Sequence, residues 1–195
     1  MQTKGLTSLG SILIEYKRAL TGVFEKPFVD SIYRVAQLLS DARDRSATIY
    51  IAGNGGSAST ASHWVNDLGK ATKTNNRPPM RVMSLSDNVS WLTALANDEG
   101  YDRIFVGQLE NFARQGDVLV MLSASGNSIN LIRAAELAKS RGVLTVALLG
   151  FDGGVLKTLV DDYLLIPTAK GSYGVVESGH SMICHLLTAI LANEQ

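Results

Sequence analysis

The chain has a single cysteine, Cys184, and no excess of charge of either sign. With one thiol no disulfide can form within the chain, which suits a reducing compartment. The 18 lysines and arginines balance the 18 aspartates and glutamates, so the overall positive charge with which many proteins gather nucleic acid is missing. We therefore expect no nucleic-acid partner.

Long apolar runs are also missing. The longest, such as Val143–Leu149, are far shorter than a membrane span. The first residues, Met1-Gln-Thr-Lys-Gly, lack the order of basic, apolar and small residues that is typical of a signal peptide. We expect a cytoplasmic protein with no membrane partner.

Two patterns of apolar residues divide the chain. In residues 1–45 they recur at helical spacing, as at Leu9, Ile12 and Tyr16, which predicts two amphipathic helices that pack elsewhere, such as on another subunit. From Ala47 onward, short apolar runs alternate with helical stretches, which predicts a parallel sheet covered on both faces. The predicted strands are Thr48–Ala52, Arg81–Leu85, Val118–Leu122, Leu144–Leu149 and Tyr163–Ile166. The predicted helices are Ala58–Leu68, Ser90–Ala96 with Tyr101–Phe112, Ile129–Arg141, Val155–Val160 and Val176–Ala192.

A glycine- and serine-rich segment, Gly53-Asn54-Gly55-Gly56-Ser57-Ala58-Ser59, follows the first predicted strand. Glycines let the backbone approach a ligand, and the next helix offers unpaired N–H groups and the positive end of its dipole. We interpret the segment as an anion site, with an ordinary capped turn as the alternative. It also fits the dinucleotide pattern G-x-G-x-x-A. The acidic residue that this pattern needs about twenty positions later is absent, because that distance falls in Lys70–Lys73.

A second segment of this kind, Ser123-Ala124-Ser125-Gly126-Asn127-Ser128, follows the third predicted strand. Hydroxyls and backbone N–H groups at a helix N-terminus can bind a phosphate without a cation. Neither segment has the G-K-[ST] ending of a P-loop, so hydrolysis of a nucleoside triphosphate is not indicated. An ordinary capped loop is again the alternative.

All three histidines fall in two predicted helices. His63 and Asp67 are four positions apart, and Glu177 and His185 are eight apart, so each pair shares a helix face. Two imidazoles and two carboxylates suit a divalent metal such as zinc, whereas an isolated pair of this kind is often a surface or capping pair. His180 is interpreted as a buried histidine with satisfied hydrogen bonds, or as a group that supports the site, and Cys184 as a buried spectator thiol.

The segments Gly53–Ser57, Ser123–Ser128 and Gly150-Phe151-Asp152-Gly153-Gly154 resemble the sugar-isomerase (SIS) domain of phosphosugar-binding proteins. The similarity is greatest to the bacterial sedoheptulose 7-phosphate isomerases, or phosphoheptose isomerases. It runs over essentially the whole chain and includes Asn97-Asp98-x-Gly100-Tyr101. It implies an α/β fold in which 1–195 form one SIS domain: a three-layer, doubly wound, five-stranded parallel sheet of flavodoxin-like type with two additional N-terminal helices. It also implies a homotetramer that uses residues 1–45 in its interface and shares each active site between subunits.

The resemblance assigns roles to individual residues. It implies a zinc ion held by His63, Asp67, Glu177 and His185, with Asp67 as the base and His185 as the acid. It implies a substrate-binding set made of Asn54, Gly55, Gly56, Ser57, Asp67, Asn97, Asp98, Ser123, Ala124, Ser125, Ser128 and Glu177. For Asp67, metal ligand and base are competing assignments.

Three positions depart from the pattern of that family. Asp67 stands where glutamate is usual, Glu177 where glutamine is usual, and Gly174 where aspartate is usual. The metal site is therefore expected to be more anionic than is usual in the family. These changes leave the exact phosphosugar open.

The implied reaction is the isomerisation of sedoheptulose 7-phosphate to D-glycero-D-manno-heptose 7-phosphate through an enediol, in heptose biosynthesis for lipopolysaccharide or another product. Such a reaction needs a base at carbon, an acid at oxygen and a positive centre for the developing oxyanion. The alternatives are a non-catalytic SIS module that binds phosphosugars or regulates replication initiation, and an isomerase of a different phosphorylated ketose. The combination of His63, Asp67 and His185 favours an enzyme.

Overall fold

The computed structural model describes residues 3–22, 25–73 and 76–193, in which helices and strands alternate after a leading helical pair. The helices are α1 (Thr3–Gly22), α2 (Lys26–Asp44), α3 (Gly56–Ala71), α4 (Val89–Asp98), α5 (Val106–Phe112), α6 (Ile129–Ser140), α7 (Leu156–Leu159) and α8 (Tyr173–Ala192), with a 3₁₀ turn at Tyr101–Arg103. The strands are β1 (Thr48–Gly53), β2 (Arg81–Ser84), β3 (Val118–Ser123), β4 (Leu144–Gly150) and β5 (Asp162–Ile166).

The five strands form one parallel sheet in the order β2-β1-β3-β4-β5. Successive β1 residues point to opposite faces, so that Ile49 and Ile51 join one core and Tyr50 and Ala52 the other. The first core is completed by α2, α3 and α8, and the second by α4, α5 and α6. The predicted three-layer, doubly wound α/β fold is confirmed.

The predicted elements are all present, and their ends differ by a few residues. Each strand begins or ends within one residue of its predicted bounds. The largest differences are in three helices: α3 continues three residues past the predicted Leu68, α8 begins three residues before the predicted Val176, and the helix predicted over Tyr101–Phe112 is a 3₁₀ turn followed by α5. Helix α7 is one residue shorter at each end than the predicted Val155–Val160. The chain leaves α7 early because Val160 is already extended (ψ 162°) and leads into β5.

The two leading helices pack differently from each other. Helix α2 buries Ile32, Val35 and Leu39 in the first core, so the expectation that the pair packs elsewhere is wrong for this helix. Helix α1 leaves Ile12, Leu13 and Ile14 exposed. The side chain of Leu9, which helped to predict α1, is outside the described part of the chain.

Helix α8 is long and apolar enough to cross a membrane by length and composition alone. Half of its most apolar window is buried inside the fold, where Ile183 and Leu187 join the first core. That packing is typical of a core helix, so its composition does not indicate a membrane span.

One buried cation ties the edge of this core together. The Arg43 guanidinium is 1% exposed and donates to the carbonyl oxygens of Pro78 (2.7 Å), Thr72 (2.8 Å) and Leu191 (3.5 Å). Arg43 thus links α2 to the chain around α3 and β2 and to the end of α8. Burying a charge is tolerated only when its hydrogen bonds are made in this way.

We expect Arg43→Met to lower the free energy of unfolding by about 3 kcal/mol, because buried carbonyls would lose a charged donor. Urea unfolding at fixed protein concentration measures the change. Arg45→Met is the matched control, since Arg45 also donates to a carbonyl, that of Gly116, but at the exposed surface. Equal effects of the two variants would contradict this assignment.

Candidate active site

The two phosphate-binding segments predicted from the sequence lie side by side. Strands β1 and β3 are neighbours and run parallel, with Gly53 paired to Leu122, so the loops that follow them open at the same edge of the sheet. The chain order reverses between these two strands, where ligands of doubly wound proteins usually bind. The Nδ2 group of Asn54 donates to Oδ1 of Asn130 (3.0 Å), which joins the first loop to the start of α6.

The first loop leaves the N-terminus of α3 without a cap from a side chain. Gly55 is the N-cap, with φ +56°, a conformation that favours glycine. A Cβ on Gly53 would come within 2.7 Å of the backbone of Ser57, so the turn is too tight for a larger residue. The first turn of α3 contains no acidic residue. The positive end of this helix, at the edge of the sheet, therefore has neither a side-chain cap nor an acidic residue of its own first turn to neutralise it.

The second loop presents hydroxyl groups in a fixed orientation. The Ser123 hydroxyl accepts a hydrogen bond from the Gly126 amide (3.0 Å), and the Ser125 hydroxyl accepts from the Asn127 amide (3.2 Å). Each hydroxyl keeps its own proton free to donate to an anion. Ser128 is the N-cap of α6, and its side chain makes no capping bond.

The loop after β4 supports the second loop from behind. A Cβ on Gly126 (φ +63°) would overlap the carbonyl oxygen of Gly153. The Asn127 side chain accepts from the Val155 amide (3.0 Å) and donates to the Ser125 carbonyl (2.9 Å). The segment Gly150–Gly154, recognised in the sequence by its resemblance, therefore braces the serine loop.

An imidazole–carboxylate cluster lies where α3 packs on α8. Nε2 of His63 is 3.1 Å, and Nδ1 of His185 is 3.3 Å, from the same oxygen of Asp67. One ligand atom from each of the three residues lies within 4.8 Å of the others. The indole of Trp64 donates to the Thr188 hydroxyl (3.2 Å), which fixes the two helices to each other beside the cluster.

Glu177 lies apart from this cluster. Its carboxylate covers Gly56 at the start of α3, where an added Cβ would come within 2.5 Å of the Glu177 oxygens. Of the four residues predicted to hold a metal, the structure thus brings together His63, Asp67 and His185. Coordination by Glu177 stays a prediction.

The remaining predicted residues lie at the edge of the same region. Asn97 and Asp98 are exposed at the end of α4, where Nδ2 of Asn97 donates to Asp98 (2.6 Å). Three residues further on, the Tyr101 hydroxyl donates to Oδ1 of Asn54 (2.8 Å). Tyr101 and Asn130 were not predicted as site residues, although Tyr101 belongs to the segment Asn97–Tyr101 and Asn130 is a polar residue on an otherwise apolar face of α6.

His180 and Cys184 are buried on the core side of α8. The prediction of a buried histidine is correct, but neither ring nitrogen of His180 has a hydrogen-bond partner within the described residues. Burial lowers the pKa of His180 to about 4, although the nearby backbone of Leu149 opposes the shift. Burial, and then the charge of Asp67, raise the pKa of the Cys184 thiol. Both groups are therefore neutral at pH 7.

Comparisons with known proteins identify the family of this chain. The family model described as "SIS domain" matches residues 14–150. The phosphoheptose isomerase of Nitratiruptor sp. is 36% identical over 92% of this chain and 94% of its own length. That of Helicobacter pylori is 40% identical over 77% of each chain. The solved phosphoheptose isomerase of Francisella tularensis is 25% identical, with a TM-score of 0.85 over 97% of this chain and 99% of that one. The one from Neisseria gonorrhoeae is 26% identical, with a TM-score of 0.83 over 99% of both.

The burial of His180 predicts a loss of stability in acid. Its pKa is about 4 in the folded chain and about 6.5 when unfolded, so the unfolded state binds more protons between these values. The free energy of unfolding should therefore fall as the pH decreases from 6.5 to 4, with a contribution of about 2.5 kcal/mol from this residue at pH 4.5. Urea unfolding at pH 7 and 4.5 measures it.

His180→Leu is the diagnostic variant, because it removes the titrating ring and keeps an apolar side chain in this buried position. The variant should lose less stability than the parent between pH 7 and 4.5. Parallel losses in the two proteins would show that His180 does not cause the acid sensitivity.

Proposed function

Because this chain belongs to the SIS-domain family and, within it, to the phosphoheptose isomerases, we propose that it interconverts sedoheptulose 7-phosphate and D-glycero-D-manno-heptose 7-phosphate in heptose biosynthesis. The observation that carries the proposal is the layout of α3. Its uncapped start lies in the first loop, and His63 and Asp67 follow on the same helix. At 1.5 Å per residue, His63 is about 10 Å along the helix from Gly56, comparable to the length of an extended heptose phosphate.

The phosphate group is bound by the loops at the edge of the sheet. The N-termini of α3 and α6 supply positive dipole ends, and Ser57, Ser123, Ser125 and Ser128 supply hydroxyls. No cationic side chain is needed, which agrees with the balanced charge of the chain. Binding energy from this remote group holds the reactive end of the sugar in place. Asn54, Gly55, Gly56, Ala124, Asn97 and Asp98 complete the substrate-binding set.

Asp67 and His185 carry the proton transfers. Asp67 removes a proton from the carbon next to the carbonyl, and His185 donates one to the carbonyl oxygen, which gives the enediol. The enediol then gains a proton at the former carbonyl carbon and loses one from the hydroxyl of the carbon that was first deprotonated, which completes the exchange between ketose and aldose. The close contact of both imidazoles with one oxygen of Asp67 supports this division of roles.

The same cluster has the composition of a zinc site. Two imidazole nitrogens and one carboxylate oxygen within 4.8 Å of one another suit that ion, so His63, Asp67 and His185 would hold it. Glu177, the predicted fourth ligand, would have to turn away from Gly56 to reach it. When bound, zinc would supply a Lewis acid that polarises the oxygens of the sugar. Because Asp67 contacts both imidazoles, its roles as ligand and as base still compete.

The assembly is proposed to be a cytoplasmic homotetramer in which residues 1–45 form part of the interface and subunits share the active sites. The exposed apolar side chains Ile12, Leu13 and Ile14 on α1 support this proposal. The partners are then the phosphorylated sugar and further copies of the chain, without nucleic acid or membrane.

The proposed activity is tested by a panel of phosphorylated ketoses assayed with purified protein. Sedoheptulose 7-phosphate should be converted to an aldoheptose 7-phosphate, chelation should stop the reaction, and zinc should restore it. Conversion of another ketose instead would change the substrate. Binding without any conversion would favour the non-catalytic SIS module.

Asp67→Asn should reduce kcat by about 10²–10⁴-fold, because the amide cannot accept the proton from carbon. Binding of the sugar phosphate, measured by calorimetry, should change little, since the phosphate loops are intact. Asp44→Asn is the matched control, because Asp44 pairs with Arg77 at the surface of α2. Near-normal turnover by Asp67→Asn would assign the base to another residue.

A further inference from the structure

Asn54, a proposed sugar contact, has an amide group that is held from two sides. Its Nδ2 donates to Oδ1 of Asn130 (3.0 Å), and its Oδ1 accepts from Nδ2 of Asn130 (2.9 Å). The Tyr101 hydroxyl also donates to Oδ1 of Asn54 (2.8 Å). Three hydrogen bonds thus determine the rotation of one short side chain.

These bonds determine the hydrogen-bonding capacity that remains on the side-chain amide of Asn54. An amide oxygen has two lone pairs, and both are used, one by Asn130 and one by Tyr101. An amide nitrogen has two hydrogens, of which Asn130 takes one. The remaining capacity of Asn54 is a single N–H donor.

The two partners come from different parts of the fold. Asn130 is 1% exposed and is the second residue of α6, directly after the serine loop. Tyr101 is 57% exposed and follows Gly100, whose φ of +108° turns the chain back toward the site. The position of Asn54 is therefore linked to both the serine loop and the segment after α4.

We propose that Asn130 and Tyr101 are positioning residues that aim the free Nδ2–H of Asn54 at an acceptor oxygen of the sugar. This inference rests on the proposed function, because it takes the phosphosugar as the ligand. Asn54 makes the contact with the sugar, and the other two residues act through it. A rotated amide would present its oxygen instead, and a hydrogen-bond acceptor facing another acceptor repels it.

The test is a double-mutant cycle between Tyr101→Phe and Asn54→Ala. Tyr101→Phe removes one hydroxyl from an exposed ring and should lower kcat/KM by about five- to tenfold, the value of one hydrogen bond. In the Asn54→Ala background, the same change should alter kcat/KM by less than about twofold. An equal loss in both backgrounds would overturn the proposal, because Tyr101 would then act independently of Asn54.

Two further variants control the cycle. Tyr163→Phe removes a phenol hydroxyl from β5 and should leave kcat/KM unchanged. Asn130→Asp keeps the acceptor for Nδ2 of Asn54 but loses the donor to its oxygen, so it should lower kcat/KM at least as much as Tyr101→Phe. If Asn130→Asp fails to fold, the double-mutant cycle on the exposed Tyr101 still tests the proposal.

Failure of the proposed function is recognised separately. If the parent protein binds sedoheptulose 7-phosphate without converting it, the cycle is measured on Kd, with the same expected pattern. A readout without sugar is the side-chain amide resonance of Asn54 in the ¹H–¹⁵N spectrum, identified by its loss in Asn54→Ala. Tyr101→Phe should shift this resonance and Tyr163→Phe should not. An unshifted resonance in Tyr101→Phe would overturn the proposal whatever the enzyme's substrate.

Discussion

The site depends on two helices, α3 and α6, that begin next to each other without a side-chain cap. Each leaves backbone N–H groups and the positive end of its dipole directed to the same edge of the sheet. The strand order brings them together, because β1 and β3 are neighbours on either side of the reversal in chain order. Tight glycine turns at Gly53 and Gly126 then allow the backbone to come close to a ligand. A chain with balanced charge can in this way bind a dianion.

Much of the fold follows from the sequence, because parallel strands buried on both faces are continuous apolar runs. Glycine- or serine-rich loops follow these runs and mark where each strand ends. β3 and its loop illustrate this, since Val118 begins the strand and the hydroxyl-rich segment follows at Ser123. The packing of α2 was not predicted, because an amphipathic face shows that a helix is buried but not against which partner. The predicted end of α8 at Ala192 is confirmed, whereas its start was placed three residues late because Tyr173 and Gly174 in its first turn are exposed and add nothing to the apolar pattern.

The site was predictable to the extent that it is local. His63 and Asp67 are neighbours on one helix face, and their contact follows from helical geometry. The contacts of Asn54 with Asn130 and Tyr101 join residues that are 76 and 47 positions apart in the chain, and no periodicity reports such pairs. Glu177 is a further case, because helical spacing places it on the face of His185 but does not show that its carboxylate reaches the start of α3. The surroundings of His180 likewise depend on strands that lie far from it in the chain, such as the backbone at Leu149 in β4.

Helix α8 packs in the core with one face and contacts the imidazole–carboxylate cluster with the other, so a movement of one face also moves the other. Ile183 and Leu187 anchor it in the core, while His185, between them in the chain, points to Asp67. A helix turns by about 100° per residue, so His185 lies about 200° around the helix from Ile183 and from Leu187, on the opposite face. Because the helix moves as one body, repacking the interior would rotate it and carry the imidazole away from its carboxylate. If His185 has its proposed role, hydrophobic substitutions beneath α8 that leave folding intact would still lower turnover by moving this imidazole.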